Sequence, residues 1–286
     1  MKAEARIKSK SIINFAPTGM IPTREMTPHV PVSPEEIIED VLSCLPLGVS
    51  MVHLHARDKN GIPIWRGDIY ARIIEGIRKV DKDVVLCVST SGRSWPEFEK
   101  RSECLELTGS AKPDMGSLTL SSLNFNKQAS VNSPDMIQAL AQRMQKNGIR
   151  PELEAFDIGM INYSKHLHSK GLLEPPFYFN LILGNIACAQ ANMLNLGIMV
   201  SELPEESTWS VGGVGDCQLR MNLMGLINGG GVRVGLEDNI FWDAERTRLA
   251  TNYEQVERIA LIAESAGIEV ATSQEVRSML CLEKKS

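Results

Sequence analysis

The run Met51-Val52-His53-Leu54-His55-Ala56-Arg57-Asp58 carries the residues of this chain best placed to do chemistry. Two histidines stand two positions apart inside an apolar stretch that stops at a charged turn. On a strand, residues i and i+2 point the same way. His53 and His55 then share one space, while Val52, Leu54 and Ala56 pack into the opposite layer. Two imidazoles held side by side on a rigid strand make half of a zinc site. A pair of hydrogen-bonded core histidines is the other reading. The choice turns on whether further ligands converge there.

An internal control is provided by His166-Leu167-His168, which repeats the spelling in a segment that reads as a helix. On a helix, i and i+2 diverge by roughly 200°. These two are expected at the surface or in a subunit contact, with no metal role. A third ligand comes instead from Gly231-Val232-Arg233-Val234-Gly235-Leu236-Glu237-Asp238-Asn239. Read as a strand, it puts Val232, Val234 and Leu236 on one face and Arg233, Gly235 and Glu237 on the other. A buried arginine and carboxylate need partners, and a structural ion pair would supply them. Beside His53 and His55, Glu237 reads better as a metal ligand. Two histidines and one carboxylate with an open position describe a catalytic site.

The elements that must bring strand 8 next to strand 2 follow from periodicity. Strands are expected at 11–16, 52–56, 84–89, 115–120, 152–156, 177–183, 209–211 and 232–236. Helices are expected over 34–45, 69–80, from about 96, 134–148, 159–169, 189–203, 217–227 and 252–266, with a short one starting at 272–275. Ser33-Pro34-Glu35-Glu36 and Thr251-Asn252-Tyr253-Glu254 are capping boxes, and Ser33 is followed by proline in the first turn. Eight strand–helix units at roughly 30 residues each are the tally of an α/β chain folded as a single (β/α)8 TIM barrel. The barrel domain would cover 1–286, with a short C-terminal helical extension. A doubly wound sheet would call for a glycine-rich turn after the first strand, and none is written there.

In such a barrel the C-terminal strand ends gather into one site. The polar residues at those ends are His53, His55, Ser89, Ser117, Glu154, Arg233, Glu237 and Asp238. Gly212, Gly213 and Gly215 near strand 7 could cradle a phosphate or simply form a tight turn before a helix. Gly229-Gly230-Gly231 reads as the end of one helix and the start of strand 8.

The net charge of −5 argues against a broad nucleic-acid surface. None of the six cysteines forms C-x-x-C, so they read as reduced thiols of a cytoplasmic protein. Residues 1–10 are charged and are expected to lack a signal core. The most apolar stretch, 177–200, is broken by Asn180, Asn185, Gln190, Asn192 and Asn195 and is too polar for a membrane span.

Five segments resemble the β-keto acid cleavage enzymes, the family typified by 3-keto-5-aminohexanoate cleavage enzyme. They are the run from Thr23 to Glu36, Val52-His53-Leu54-His55-Ala56-Arg57-Asp58, Pro113-Asp114-Met115-Gly116-Ser117, Pro151-Glu152-Leu153-Glu154-Ala155-Phe156-Asp157 and Arg233-Val234-Gly235-Leu236-Glu237-Asp238-Asn239. The likeness implies a zinc-dependent (β/α)8 barrel, a homotetramer, that turns a β-keto acid and acetyl-CoA into acetoacetate and a new acyl-CoA. It implies zinc on His53, His55 and Glu237. Asp238, Arg233 and Glu154 match the group that promotes enolate formation, and Ser89, Gly92 and Ser117 match positions that hold the β-keto acid. The chemistry suits these residues: a β-keto acid chelates a metal through ketone and carboxylate oxygens, and a Lewis acid stabilises the enolate formed on losing the α-proton.

Two positions depart from the family pattern. The member that acts on an amino-keto acid has a glutamate where this chain has Ile21, so a substrate without a cationic amine there is expected. Relatives often carry a basic residue where this chain has Asp216. An amidohydrolase-type barrel hydrolase also begins with H-x-H, but it needs further strand-end histidines, and only His29, in the first loop, is left. A CoA-independent metal aldolase or lyase is a further alternative. A non-enzymatic metal-binding protein would leave Arg233, Asp238 and Glu154 unexplained.

Overall fold

Eight short strands with strict alternation build the frame of a computed structural model that describes residues 10–283. They are β1 (Ile13–Phe15), β2 (Met51–Leu54), β3 (Val85–Val88), β4 (Met115–Thr119), β5 (Arg150–Ala155), β6 (Phe177–Leu183), β7 (Ser207–Gly213) and β8 (Gly231–Val234). All are parallel and close in sequence order, with β8 returning to β1 through Ile13↔Val232, Asn14↔Arg233 and Phe15↔Val234. The fold is a (β/α)8 barrel. The charged stretch read at the start of the chain lies outside the described residues apart from Lys10.

Alternation sorts each strand into two packing layers. Phe15, Val52, Leu54, Leu86, Val88, Leu118, Leu153, Phe179 and Val232 face outward into the core beneath the helices. Inward, Ile12, Met51, Val85, Cys87, Met115 and Tyr178 form an apolar floor. Above that floor the barrel interior is polar: Asn14, His53, Ser117, Glu152, Asn180, Ser210 and Arg233 are all buried there. The last helix, α9 (Ser273–Met279), closes the bottom by adding Val276 and Leu280 to the floor. It is anchored by Arg277, whose Nη2 stands 2.8 Å from Asp114 Oδ1, and Arg78 holds the other oxygen of that carboxylate at 3.0 Å.

The outer ring is α1 (Pro34–Cys44), α2 (Gly67–Arg78), α3 (Phe98–Ser102), α4 (Pro134–Lys146), α5 (Ile158–Ser169), α6 (Met193–Ser201), α7 (Gln218–Ile227) and α8 (Asn252–Ser265). Ser33 and Thr251 close both capping boxes read from the sequence. Several elements differ from the periodicity by a residue or two at their ends, β2 among them, which stops at Leu54 and not at 56; three more differ for a visible reason. Helix α6 starts at Met193, not 189, because Asn192 is the cap and Ala189 is tied to Phe156 by a backbone bond. Strand β7 is longer than 209–211, since its full length pairs with β6 from Phe177↔Ser207 to Leu183↔Gly213. Strand β8 stops at Val234, two residues early.

Gly235 causes that stop. Its φ is +145°, and a Cβ there would lie 2.2 Å from the Ala16 carbonyl oxygen. The chain therefore turns off the strand against β1 and swings Glu237 over the barrel mouth. Gly235→Ala is expected to cost more than about 3 kcal/mol, from backbone strain and the clash together. A denaturant midpoint unchanged from wild type would rule out this account.

Asp40 on α1 supplies a pH-dependent term. Burial pushes its carboxyl up to about 6 from 3.8, although Asn252 donates to it at 2.5 Å. A raised carboxyl disfavours the ionised folded state, so the stabilisation is complete below the unfolded value and is lost as pH rises through about 6. Asp40→Asn should therefore gain roughly 1–2 kcal/mol over wild type at about pH 8 and nothing at about pH 3.5, read by urea unfolding at both. An equal gain at both pH values would contradict the assignment.

Candidate active site

The site is assembled from the C-terminal ends of β2, β5 and β8. His53 leaves β2 pointing inward, and His55, just past the strand, points to the same place. Their Nε2 atoms lie 3.3 Å apart, and Glu237 Oε1 is 3.1 Å from His55 Nε2 and 4.0 Å from His53 Nε2. A tetrahedral ion with bonds of roughly 2.0–2.1 Å needs its ligand atoms about 3.3 Å apart. Two edges of the triangle match that span and the third is slightly open. The second Glu237 oxygen, Oε2, is buried with no hydrogen-bond partner, as expected of an atom left for a ligand. His53, His55 and Glu237 can therefore hold a divalent metal ion.

Glu152, which the sequence reading left without a role, organises this triangle from below. Its Oε2 accepts from His53 Nδ1 at 2.5 Å, which leaves Nε2 as the nitrogen of His53 available to a metal. Asn14 and Asn180 donate to Oε1 at 2.8 and 2.6 Å, and the Cys87 thiol stands 3.3 Å from Oε2. Burial alone would raise this carboxyl, but His53, Arg233 and the amide donors outweigh it and hold it at about 2. The same pairing works on His53: burial pulls the imidazolium down, and Glu152 and Glu237 push it up to about 9. A signal for Glu152 was present in Glu152-Leu153-Glu154, where alternation points both acids inward, and in Asn14 and Asn180 inside otherwise apolar strands.

Glu237 is positioned by the first loop. Gly19, at φ +65°, lies so close that a Cβ would meet Glu237 Cγ at 2.5 Å. Arg57 holds that loop, donating to the Gly19 carbonyl at 2.7 Å and to the Gly61 carbonyl at 2.8 Å. Arg57 too was missed as more than part of a motif.

Arg233 joins the remaining acids. Its Nε donates to Asp238 Oδ2 at 2.8 Å, its Nη2 lies 2.7 Å from Glu237 Oε1, and its Nη1 stands 3.7 Å from Glu154 Oε1 without a hydrogen bond. Gly212 on β7 leaves room for this side chain. Thr119 donates to Glu154 at 2.7 Å. Burial raises both Glu154 and Asp238 above the usual carboxylate range, with Arg233 opposing. On Glu237, burial is outweighed by His55, Arg233 and His53, which keep it ionised well below that range.

Ser89, just past the end of β3, and Ser117, in the middle of β4, are both buried. Their hydroxyl oxygens accept from Ser91 N at 3.3 Å and Thr90 N at 3.1 Å, which leaves each hydroxyl proton for a ligand oxygen. Gly92 lies against Arg101, where a Cβ would come within 2.5 Å of a guanidinium nitrogen. Ile21 stands apart: it is 50 % exposed, and its neighbour Met20 lines the small cavity that His55 and Ser89 also line. Gly215 donates its amide to the Asp238 carbonyl at 2.8 Å, so this turn braces the active-site loop. Asp216 is exposed and paired with Arg246 at 3.4 Å. His166 and His168 are exposed on α5, and His29 is exposed in the first loop.

A sequence profile of the β-keto acid cleavage enzymes matches residues 10–282. The chain belongs to this family. It is 35 % identical over 276 residues to the 3-keto-5-aminohexanoate cleavage enzyme of Fusobacterium nucleatum subsp. nucleatum, covering 96 % of this chain and 99 % of that one. It is 34 % identical to the 3-oxoadipate:acetyl-CoA acetyltransferase of Cupriavidus necator, over 95 % of this chain and 94 % of the relative. Among solved structures, apo ObcA superposes with a TM-score of 0.78 at 21 % identity, covering 89 % of this chain. This chain spans 66 % of ObcA's length, just under two thirds, and the likeness is one of fold.

Within this β-keto acid cleavage enzyme the link from Glu152 to His53 is the part of the candidate metal site that can be tested without touching a candidate ligand. Glu152→Gln keeps the shape and removes the charge. It should lower metal affinity by about 10- to 100-fold, read by competition with a chelating dye. Unaltered affinity would show that Glu152 is only a core group.

Proposed function

We propose that this chain is a zinc-dependent β-keto acid cleavage enzyme, converting a β-keto acid and acetyl-CoA to acetoacetate and a new acyl-CoA. The observation that carries the reading is the His53–His55–Glu237 triangle with Arg233, Asp238 and Glu154 beside it. The relatives named above support the class of reaction, one as a β-keto acid cleavage enzyme and the other as an acetyl-CoA-dependent transferase. Zinc suits a donor set of two imidazoles and a carboxylate. When bound, it supplies Lewis acidity to the ketone and carboxylate oxygens of the keto acid.

The side chains divide the remaining work. Ser89, Gly92 and Ser117 line the place for the keto acid, the two serines through their free hydroxyl protons. Asp238 and Glu154, both raised by burial and so more basic than ordinary carboxylates, are suited to accept the α-proton. Arg233 holds Asp238 toward that task and spreads positive charge over the developing enolate. The enolate carbon attacks the acetyl thioester and expels CoA thiolate. The thiolate adds to the former ketone carbon, the carbon–carbon bond breaks to leave the acyl-CoA, and the carbanion released takes back the proton held by Asp238 or Glu154 to become acetoacetate. Ile21 offers no partner to an ammonium group, so the substrate carries no cationic amine at that place.

The reading extends to a cytoplasmic homotetramer. All six cysteines are free thiols, which suits a reducing compartment. Helix α6 exposes Met193, Leu194 and Ile198, an apolar surface of the kind that subunit contacts cover. No helix among the described residues is long and apolar enough to cross a membrane.

The test is acetoacetate release from zinc-loaded protein, acetyl-CoA and a panel of β-keto acids. His53→Ala should abolish both metal content and turnover, and His166→Ala should alter neither. Asp238→Asn should keep the metal and lower kcat by about 10²- to 10⁴-fold. Hydrolysis of an amide or lactone, with no keto acid turned over, would replace this reading with the amidohydrolase one.

A further inference from the structure

The segment leaving β3 brings three cations, Arg93, Lys100 and Arg101, toward the mouth, and among the described residues only Lys100 has an acid partner. Lys100 is paired with Glu97 at the surface. Arg101 is buried and fully engaged by neutral groups, donating to the Thr90 carbonyl at 2.8 Å and to Asn132 Oδ1 at 2.7 Å. The cavity beside the metal triangle, which His55, Ser89, Trp65, Lys100 and Arg101 line, has no carboxylate in its wall.

Arg93 is the unusual member. It is half-buried, its guanidinium carbon lies 3.6 Å from the centroid of the Phe125 ring, and its Nε is buried with no partner. Among the described residues no carboxylate lies within ion-pair distance of it. Phe125 meets Phe156 edge-on at 6.0 Å, and Phe156 directly follows β5, two residues after Glu154. Arg93 therefore reaches from the end of β3 toward the end of β5. Burial holds its guanidinium below the ordinary value, and the charges that oppose this are those of Glu237, Glu154 and Asp238.

Those three acids are already committed: Glu237 to His55 and Arg233, Asp238 to Arg233, Glu154 to Thr119. A cation–π contact returns only about 0.5–2 kcal/mol, less than the desolvation of an unpaired guanidinium. A structural arginine in this position would have its N–H groups filled, as Arg101 has. We infer that Arg93 binds a second carboxylate at the far end of the keto acid, so that this chain prefers dicarboxylic β-keto acids. The inference rests on the function proposed above, which gives the other carboxylate and the ketone to the metal. A planar guanidinium matches a carboxylate in a two-pronged hydrogen bond. It also repels an ammonium tail, in keeping with apolar Ile21. The phosphates of CoA are the other anions that could reach the mouth. The keto acid is favoured because Arg93 shares its loop with Ser89 and Gly92, which face that substrate in the proposed reading.

The experiment compares wild type, Arg93→Met and Arg93→Lys on 3-oxoadipate, on 3-oxohexanoate, which lacks the distal carboxylate, and on 3-keto-5-aminohexanoate. Wild type should favour 3-oxoadipate over 3-oxohexanoate by roughly 100-fold in kcat/KM, and Arg93→Met should reduce that ratio to below about fivefold. Arg93→Lys should keep a preference of about tenfold, since it retains the charge and loses the fork. Metal content and melting temperature report on folding. Equal turnover of 3-oxoadipate and 3-oxohexanoate by wild type overturns the inference and leaves the proposed function standing. A raised KM for acetyl-CoA with that for 3-oxoadipate unchanged assigns Arg93 to the CoA phosphates and overturns it as well. Failure of wild type on every β-keto acid removes the proposed function, and this inference with it.

Discussion

A carboxylate buried on the barrel axis is the constraint that most of the interior answers to. Removing Glu152 from water costs several kcal/mol unless its oxygens are fully hydrogen-bonded. Its four partners come from four strands: Asn14 from β1, His53 from β2, Cys87 from β3 and Asn180 from β6. Only a closed barrel brings strands 1 to 3 and 6 around one point on strand 5. The apolar floor of Met51, Val85, Met115 and Tyr178 keeps water from the lower side, which strengthens every one of those bonds. Fixing Glu152 fixes the His53 ring, and with it one corner of the candidate metal triangle.

Four acids crowd within one mouth, and their surroundings separate them. Glu152 and Glu237 face imidazoles and are held down; Glu154 and Asp238 are buried with less compensation and are pushed up. Arg233 is the hub that prevents mutual repulsion from expelling any of them, touching Asp238 and Glu237 and standing near Glu154. The same residue type is thus held in two different charge states by its surroundings.

Glycines place Glu237, the third member of the candidate metal triangle. Gly235 turns the chain off β8 against Ala16, and Gly19 lets the first loop close over Glu237. Arg57, two residues beyond His55, holds that loop by its carbonyls. The segment that carries His53 and His55 therefore also secures the far side of the site.

Much of this was legible in the sequence. Period-two alternation and capping signals gave eight strand–helix units, because those patterns reflect local backbone geometry that tertiary contacts here only reinforce. His53 and His55 were readable as candidate ligands from their spacing, and the setting on a helix sets His166 and His168 apart, whereas Glu237 reaches the same place through the turn at Gly235 and not along a strand. The pairing partner decided the rest. Strand β7 runs through glycines and serines because β6 offers a full ladder, and β8 ends early because Gly235 meets Ala16. Glu152 was legible as an inward acid but not as the support of His53, a contact across 99 positions of chain. Arg93 reads as an ordinary loop residue until its lack of an acid partner is seen. The sequence determined which residues face inward, because side-chain direction follows local backbone geometry. The tertiary structure decided which of those residues meet and which charges stay unmatched, because both depend on distances that only barrel closure sets.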